Sequence, residues 1–244
     1  SEREARIHSA RLKNSSCQKK YIERFGFAVQ FLAICDSQRQ LIMASTLTAL
    51  ALRLSVTFCT LSSPVYANVD PSWLASWEEA VASLPSELKS SALMVNNDEP
   101  GTRLQIRGLV FDPNGNAAEG VIVHAYHRDS QGFDFGLNDK ETTTWRIQGW
   151  AMTDQHGRFT FDTIKAAPDH LGREGGHIHF TTISEKYGRQ WALKAYFSDD
   201  KLLTERQKLL SKKSGKYGSI PEVMTTEAGA TIHVAIKLKT EPDF

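Results

Sequence analysis

Residues 103–116 read RLQIRGLVFDPNGN, and the fold turns on how that stretch is read. Leu104, Ile106 and Val110 alternate with Arg103, Gln105 and Arg107, the period of two that puts successive side chains on opposite faces of a half-buried strand. The PNGN that follows is turn chemistry, since proline presets φ while glycine and asparagine tolerate positive φ. The pattern then repeats. AEGVIVHAYHRD (118–129) is a second β-type run, and WRIQGWAMTD (145–154) and GRFTFDTI (157–164) flank QHG, which reads as a hairpin. GGHIHFTTI (175–183), WALKAYF (191–197) and TIHVAIKL (231–238) supply three more strands, interrupted by a polar helix over roughly 201–210. Short strands with regular turn signals predict an all-β protein, an antiparallel β-sandwich. Composition leaves an immunoglobulin-like sandwich and a jelly roll equally open.

Upstream of these strands, PSWLASWEEAVASLPSELKSSAL (71–93) has helical spacing, with Trp73, Trp77, Val81 and Leu84 on one face. Pro71 suits a first helical turn and Pro85 breaks the run. Residues 68–102 are thus expected to be a short N-terminal helical segment and linker, and 103–244 the sandwich domain. Residues 43–67 resemble a secretory signal peptide. An apolar run from Leu47 to Leu61, interrupted by Arg53, precedes small residues and Val65-Tyr66-Ala67. The run is short for a membrane span. Residues 1–42 read as an upstream extension outside the folded protein. The expected location is periplasmic or secreted, with no membrane association after cleavage.

Charge and cysteines follow the same division. The chain has 29 Lys and Arg against 28 Asp and Glu, of which nine and four lie in residues 1–67, so residues 68–244 carry a net charge of −4. Nothing there makes a nucleic-acid footprint. Cys17, Cys35 and Cys59 all precede residue 68, which leaves the folded part without thiolate ligands or disulfides. A metal would have to be held by His, Asp, Glu or Tyr.

His177 and His179 are the candidates. Two residues apart on a strand, they project from one face with Ile178 turned to the core. Imidazole nitrogens bind metals at roughly 2.0–2.1 Å, and two at this spacing can converge on one ion. Two solvent-facing histidines would look the same. The sequence has no G-x-S-x-G, G-x-x-x-x-G-K-[ST], H-E-x-x-H or G-x-G-x-x-G to compete with this pair. His124 and His127 lie on the neighbouring run, cannot share a face, and are expected as ordinary surface histidines.

The ordered series Gly108–Gly115, Val123–Gly132, Thr153–Ile164, His177–Phe180 and Tyr196-Phe197 resembles the intradiol ring-cleavage dioxygenases, over about residues 103–200. The resemblance implies a β-sandwich holding ferric iron through two tyrosines and the two histidines of H-I-H, acting with O2 on a small aromatic diol. The histidines carry over to His177 and His179. The tyrosine positions fall instead at Asp134, within Phe133-Asp134-Phe135, and at Asp169, with His170 beside it. Carboxylate or imidazole in place of phenolate alters the preferred ion. His177, His179 and Asp134, with Asp169 or His170 as a further ligand, would suit iron as Fe(II), zinc or copper. Arg173, one residue further from His177 than the family's arginine, is the candidate for stabilising charge on the bound ring. The implied partners are a small aromatic substrate and further copies of the chain in a homo-oligomer. The expectation is an exported intradiol-dioxygenase-like metalloprotein. The alternatives are a metal enzyme of another reaction on the same scaffold and a non-catalytic β-sandwich binding module.

Overall fold

The computed structural model describes residues 69–135 and 143–244; the expected extension and signal segment, residues 1–42 and 43–67, lie outside them. The described residues form two sheets packed face to face. Helix α1 (Pro71–Ala82) is followed by strands β1 (Ser91–Leu93), β2 (Arg103–Phe111), β3 (Ile122–His127), β4 (Ile147–Met152), β5 (Arg158–Ile164) and β6 (His177–Ser184). Then come β7 (Gly188–Trp191), β8 (Ala195–Tyr196), helix α2 (Glu205–Lys213), a 3-10 turn (Gly215–Tyr217), β9 (Met224–Thr226) and β10 (Gly229–Lys237).

The first sheet runs β1-β5-β2-β10-β9 and the second β4-β3-β6-β7, with β8 also paired to β6. The sandwich is mostly antiparallel as expected, but β10 lies parallel to β2 over eight register pairs, and β1 lies parallel to β5. The alternation read in 103–111 sets the inner face of β2: Leu104, Ile106 and Val110 are buried and meet Val123, Ala125, Ile178 and Phe180 of the second sheet in one core cluster.

Several elements differ from their sequence reading. The QHG turn forms, with the Gly157 N–H donating to Asp154 O at 2.9 Å, yet the strands it joins enter different sheets. β4 is taken by β3 and β5 by β2, each through a longer ladder than the turn alone could nucleate. WALKAYF is split between β7 and β8 instead of forming one strand. Helix α2 starts at Glu205, later than residue 201, because Thr204 and Gln207 form a reciprocal capping box that fixes its start. The linker also contains β1.

The second sheet's outer face matters for function. It carries His124, Tyr126, His177, His179 and Thr181, and α1 lies across part of it. The Trp77 indole N–H donates to Thr181 Oγ1 at 3.0 Å and that of Trp73 donates to the Tyr126 hydroxyl at 2.9 Å. Pro71 occupies the first turn and Asp70 caps it by accepting from the N–H groups of Ser72 and Trp73. None of the helices in the described residues is long and apolar enough to cross a membrane.

Candidate metal centre

The extended backbone of β6 turns Ile178 into the core, fully buried, and sends His177 and His179 to the other face. Their Nε2 atoms meet at 2.8 Å. That contact is a hydrogen bond, and two imidazole nitrogens bound at roughly 2.0–2.1 Å to a shared ion near a right angle would stand about 3 Å apart, so an ion could replace the shared proton with little movement of the rings. The backbone fixes one tautomer. His177 Nδ1 lies 2.8 Å from the Gly175 carbonyl, which can only accept, so the proton of the neutral ring sits on Nδ1 and the lone pair of Nε2 faces His179.

Neighbouring strands bracket the pair. In the sheet register Tyr126 of β3 is opposite His179, and Tyr196 of β8 is opposite His177. The Tyr126 ring stacks on His179 at 4.6 Å and 6°, with Trp145 on its far side at 3.8 Å. The Tyr196 hydroxyl donates to Glu174 Oε1 at 2.9 Å, and that oxygen also takes the Lys194 ammonium at 3.0 Å. Glu174 Oε1 lies 3.9 Å from His177 Nδ1. Burial, then the neighbouring cation of a protonated His177, pushes His179 down to about 2, and burial lowers His177 as well. Both rings are therefore neutral at neutral pH, the state a metal requires. Burial pushes the Tyr126 and Tyr196 phenols up to about 12, so both are protonated.

The other predicted residues do not join the pair. Among the described residues, no group of three His, Cys, Asp or Glu side chains is placed to hold one ion. Asp169 is buried and committed to its own loop: Oδ1 accepts from the N–H groups of Arg173 and Glu174, and Oδ2 takes Arg173 Nε at 3.1 Å. The Glu174 N–H, ahead of the contacts from Arg173, holds this carboxyl at about 2. Asp134 pairs with Arg128 Nε at 3.3 Å. His170 is exposed and stacks on Phe133 at 4.8 Å. Arg173 has 71% of its side chain exposed and sits on the rim. Together with Arg128, Gly132 and Phe135 these residues line one cavity of about 230 Å³.

A model of the family described as "Dioxygenase" (Dioxygenase_C) matches residues 81–228, more than half of the chain. The chain belongs to the intradiol dioxygenase family. Among curated relatives it is 28% identical over 135 residues to the protocatechuate 3,4-dioxygenase beta chain of Burkholderia cepacia, covering 51% of this chain and 57% of that one. It is 26% identical over 105 residues to catechol 1,2-dioxygenase 2 of Acinetobacter lwoffii, covering 36% and 38%. The chain thus spans about half, or less, of the length of these relatives. Among solved structures, the dioxygenase domain of a dioxygenase carbohydrate-binding protein fusion from Streptomyces sp. SirexAA-E aligns with a TM-score of 0.47 at 20% identity, over 62% of this chain and 88% of that one. Catechol 1,2-dioxygenase from Acinetobacter sp. ADP1 aligns with a TM-score of 0.47 at 19% identity, over 64% and 58%.

Within this intradiol dioxygenase fold, the described residues bring two imidazoles together and do not supply a tyrosinate pair beside them. Tyr126 presents its ring face to His179, and the Tyr196 hydroxyl is engaged by Glu174. The histidines were legible at their spacing. Tyr126 and Tyr196 were missed because cross-strand register brings them to the histidines and no local spacing encodes it; Glu174, three residues before His177, was missed although it is local. His124 and His127, expected on the surface, are fully buried. His124 stacks on Trp150 at 4.0 Å under α1, and His127 Nε2 reaches Thr163 of the opposite sheet at 2.7 Å.

Proposed function

We propose that this chain is an exported metalloprotein of the intradiol dioxygenase family whose ion is held by His177 and His179, and that it acts on a small aromatic diol. The observation that carries this reading is the converging, neutral Nε2 pair, with one tautomer fixed by a backbone carbonyl. Bound there, iron would supply Lewis acidity toward the substrate oxygens and access to O2. The chain's own residues do the rest. The Gly175 carbonyl orients His177, and Glu174 with Tyr196 steadies the loop beside it. The stacked Tyr126 and Trp145 rings cover the flank of His179, which excludes water there. The cavity lined by Phe133 and His170 offers aromatic side chains to the substrate ring.

Elemental analysis of the purified protein tests the reading. About one equivalent of metal, retained by wild type and lost in a His177→Ala/His179→Ala double variant that keeps its far-ultraviolet spectrum, supports it. Absence of the burgundy tyrosinate-to-iron absorption is expected as well, because no phenol is placed for it. Metal-free protein from every preparation, including after incubation with iron, zinc and copper, would favour a non-catalytic binding module. That reading draws support from the engagement of Asp134, Asp169 and His170 elsewhere. Export is tested by intact mass, with a mature start near Asn68 expected.

A further inference from the structure

We infer that the outer face of the first sheet carries a phosphate-binding site, formed by Arg107, Arg158, Lys216 and His233, which takes inorganic phosphate or the phosphate group of a small monoester. It lies on the other sheet from His177 and His179, and the inference goes beyond the proposed function without resting on it.

Register brings these groups together. Arg107 of β2 is opposite Thr160 of β5 and His233 of β10, and Leu109, two residues on, is opposite Arg158 and Ala235. Alternation turns the buried Ile106, Phe159 and Ile232 to the core, so Arg107, Arg158 and His233 stand exposed on the opposite face. Lys216 arrives from the 3-10 turn, its Nζ held 4.0 Å from the centroid of the Phe111 ring. All four basic side chains line one cavity of about 370 Å³, within the usual range of small-molecule sites, and no Asp or Glu lines it.

Such a placement works against the sheet. Like charges on neighbouring strands weaken their pairing, and Arg107 and Arg158 are diagonal neighbours on strands roughly 4.8 Å apart. No acid in the cavity offsets them. Their donors are also uncommitted. The Arg107 Nε donates to Gln105 Oε1 at 2.6 Å, which orients the guanidinium and leaves both Nη groups without a partner among the described residues. The side chains of Arg158 and His233 make no hydrogen bond among the described residues. Asp154, outside the cavity, feels the Arg158 charge, but its Oδ1 accepts the backbone N–H groups of His156 and Arg158. A bound anion would relieve the repulsion and satisfy the donors together.

The make-up of the cluster selects the anion. A single carboxylate would leave two of the three permanent cations facing each other. A phosphate monoester brings about −1.5 to −2 charges and three acceptor oxygens at neutral pH, and the guanidinium fork matches phosphate oxygens in pairs. Leu109, 38% exposed, and Ala235 line the same cavity and offer an apolar floor to the organic part of an ester. A second copy presenting the same face would set cations against cations, which disfavours a symmetric dimer there.

Calorimetric titration of the purified full chain, at constant ionic strength and with a chelator present, tests the site with inorganic phosphate, monobutyl phosphate and acetate. Phosphate is expected to bind with a Kd of about 1 mM or tighter, at least about tenfold tighter than acetate. An Arg107→Gln/Arg158→Gln double variant should weaken phosphate about tenfold or more, while Lys212→Gln, an exposed cation outside the cavity, should change it less than about twofold. Thermal melts give a second readout. Without phosphate the double variant should melt at or above wild type, because the repulsion is gone, and added phosphate should raise the wild-type midpoint alone. Tighter binding of monobutyl phosphate than of inorganic phosphate supports an organic monoester as the ligand, and equal binding supports free phosphate. Equal affinity for phosphate and acetate, no phosphate binding, binding of a long polyanion such as heparin alone, phosphate binding unchanged in the double variant, or a double variant that melts well below wild type would overturn the site. The His177→Ala/His179→Ala variant should bind phosphate as wild type does, so this site and the metal reading stand or fail separately.

Discussion

Gly132 holds two loops closer than any side chain would allow. Its φ is +88°, and a Cβ there would lie 2.3 Å from the Pro168 carbonyl oxygen and 2.6 Å from the His170 nitrogen. The contact joins the loop carrying Asp134 to the loop carrying Asp169 and His170, and the His170 N–H donates across it to Gly132 O at 3.3 Å. Gly132→Ala should therefore cost about 1–3 kcal/mol from the backbone conformation, and more from the backbone clash. Urea denaturation should show the lower midpoint. At this scale the sequence was legible where geometry is local. His177 and His179 share a face because strands alternate, and that is what the structure shows. Burial was not legible. His124 and His127 sit in a run with no local mark of depth, and they are buried because α1 covers one face of β3 and β5 lies beneath the other. The commitment of Asp169 to its own loop also needed the turn geometry, which a sequence does not display.

Two elements concentrate stability around the site. Helix α1 is anchored by Trp77, fully buried, which donates to Thr181 and meets Phe244 edge-on at 5.0 Å. Trp77→Ala should cost roughly 3–5 kcal/mol, the usual range for a large aromatic lost from a core. It should also loosen the Trp73 contact to Tyr126, visible as altered tryptophan fluorescence. Strand β3 makes the fold sensitive to acid. Burial pushes His124 down to about 3 and His127 to about 4. Both pKa values lie below the unfolded value near 6.5, so the unfolded chain binds more protons between about pH 3 and 6.5. Stability is complete above that window and falls as the pH drops through it, by roughly 3 kcal/mol for His127 if the whole shift is expressed. Denaturation midpoints across pH 4–7 should decline toward acid, and His127→Asn should flatten the slope even though it lowers stability throughout.

For the molecule as a whole, the alternation in 103–111 and the strand count announced a sandwich, and the sandwich is present. Its wiring was not announced. A turn such as QHG states that the chain reverses, while the sheet each arm joins depends on partners more than fifty residues away, as in the pairing of Arg107 with Thr160. The parallel pairing of Thr231–Lys237 with Gln105–Phe111 is more remote still. Such non-local ladders must close long loops before they gain contacts, which places folding in the millisecond-to-second range typical of β-sandwiches, slower than helical bundles. Stopped-flow refolding should show this, and Ile232→Ala in the last strand should speed unfolding more than it slows folding if that strand docks late.

The order of synthesis gives the β2–β10 pairing another meaning. The strand that seals one side of β2 is the last of the described strands to leave the ribosome, so for most of translation β2 carries a bare row of amide and carbonyl groups beside a half-built core. A nascent chain in that state stays open to chaperones and to unwanted pairing with its neighbours, and a premature stop before residue 229 would leave it so permanently.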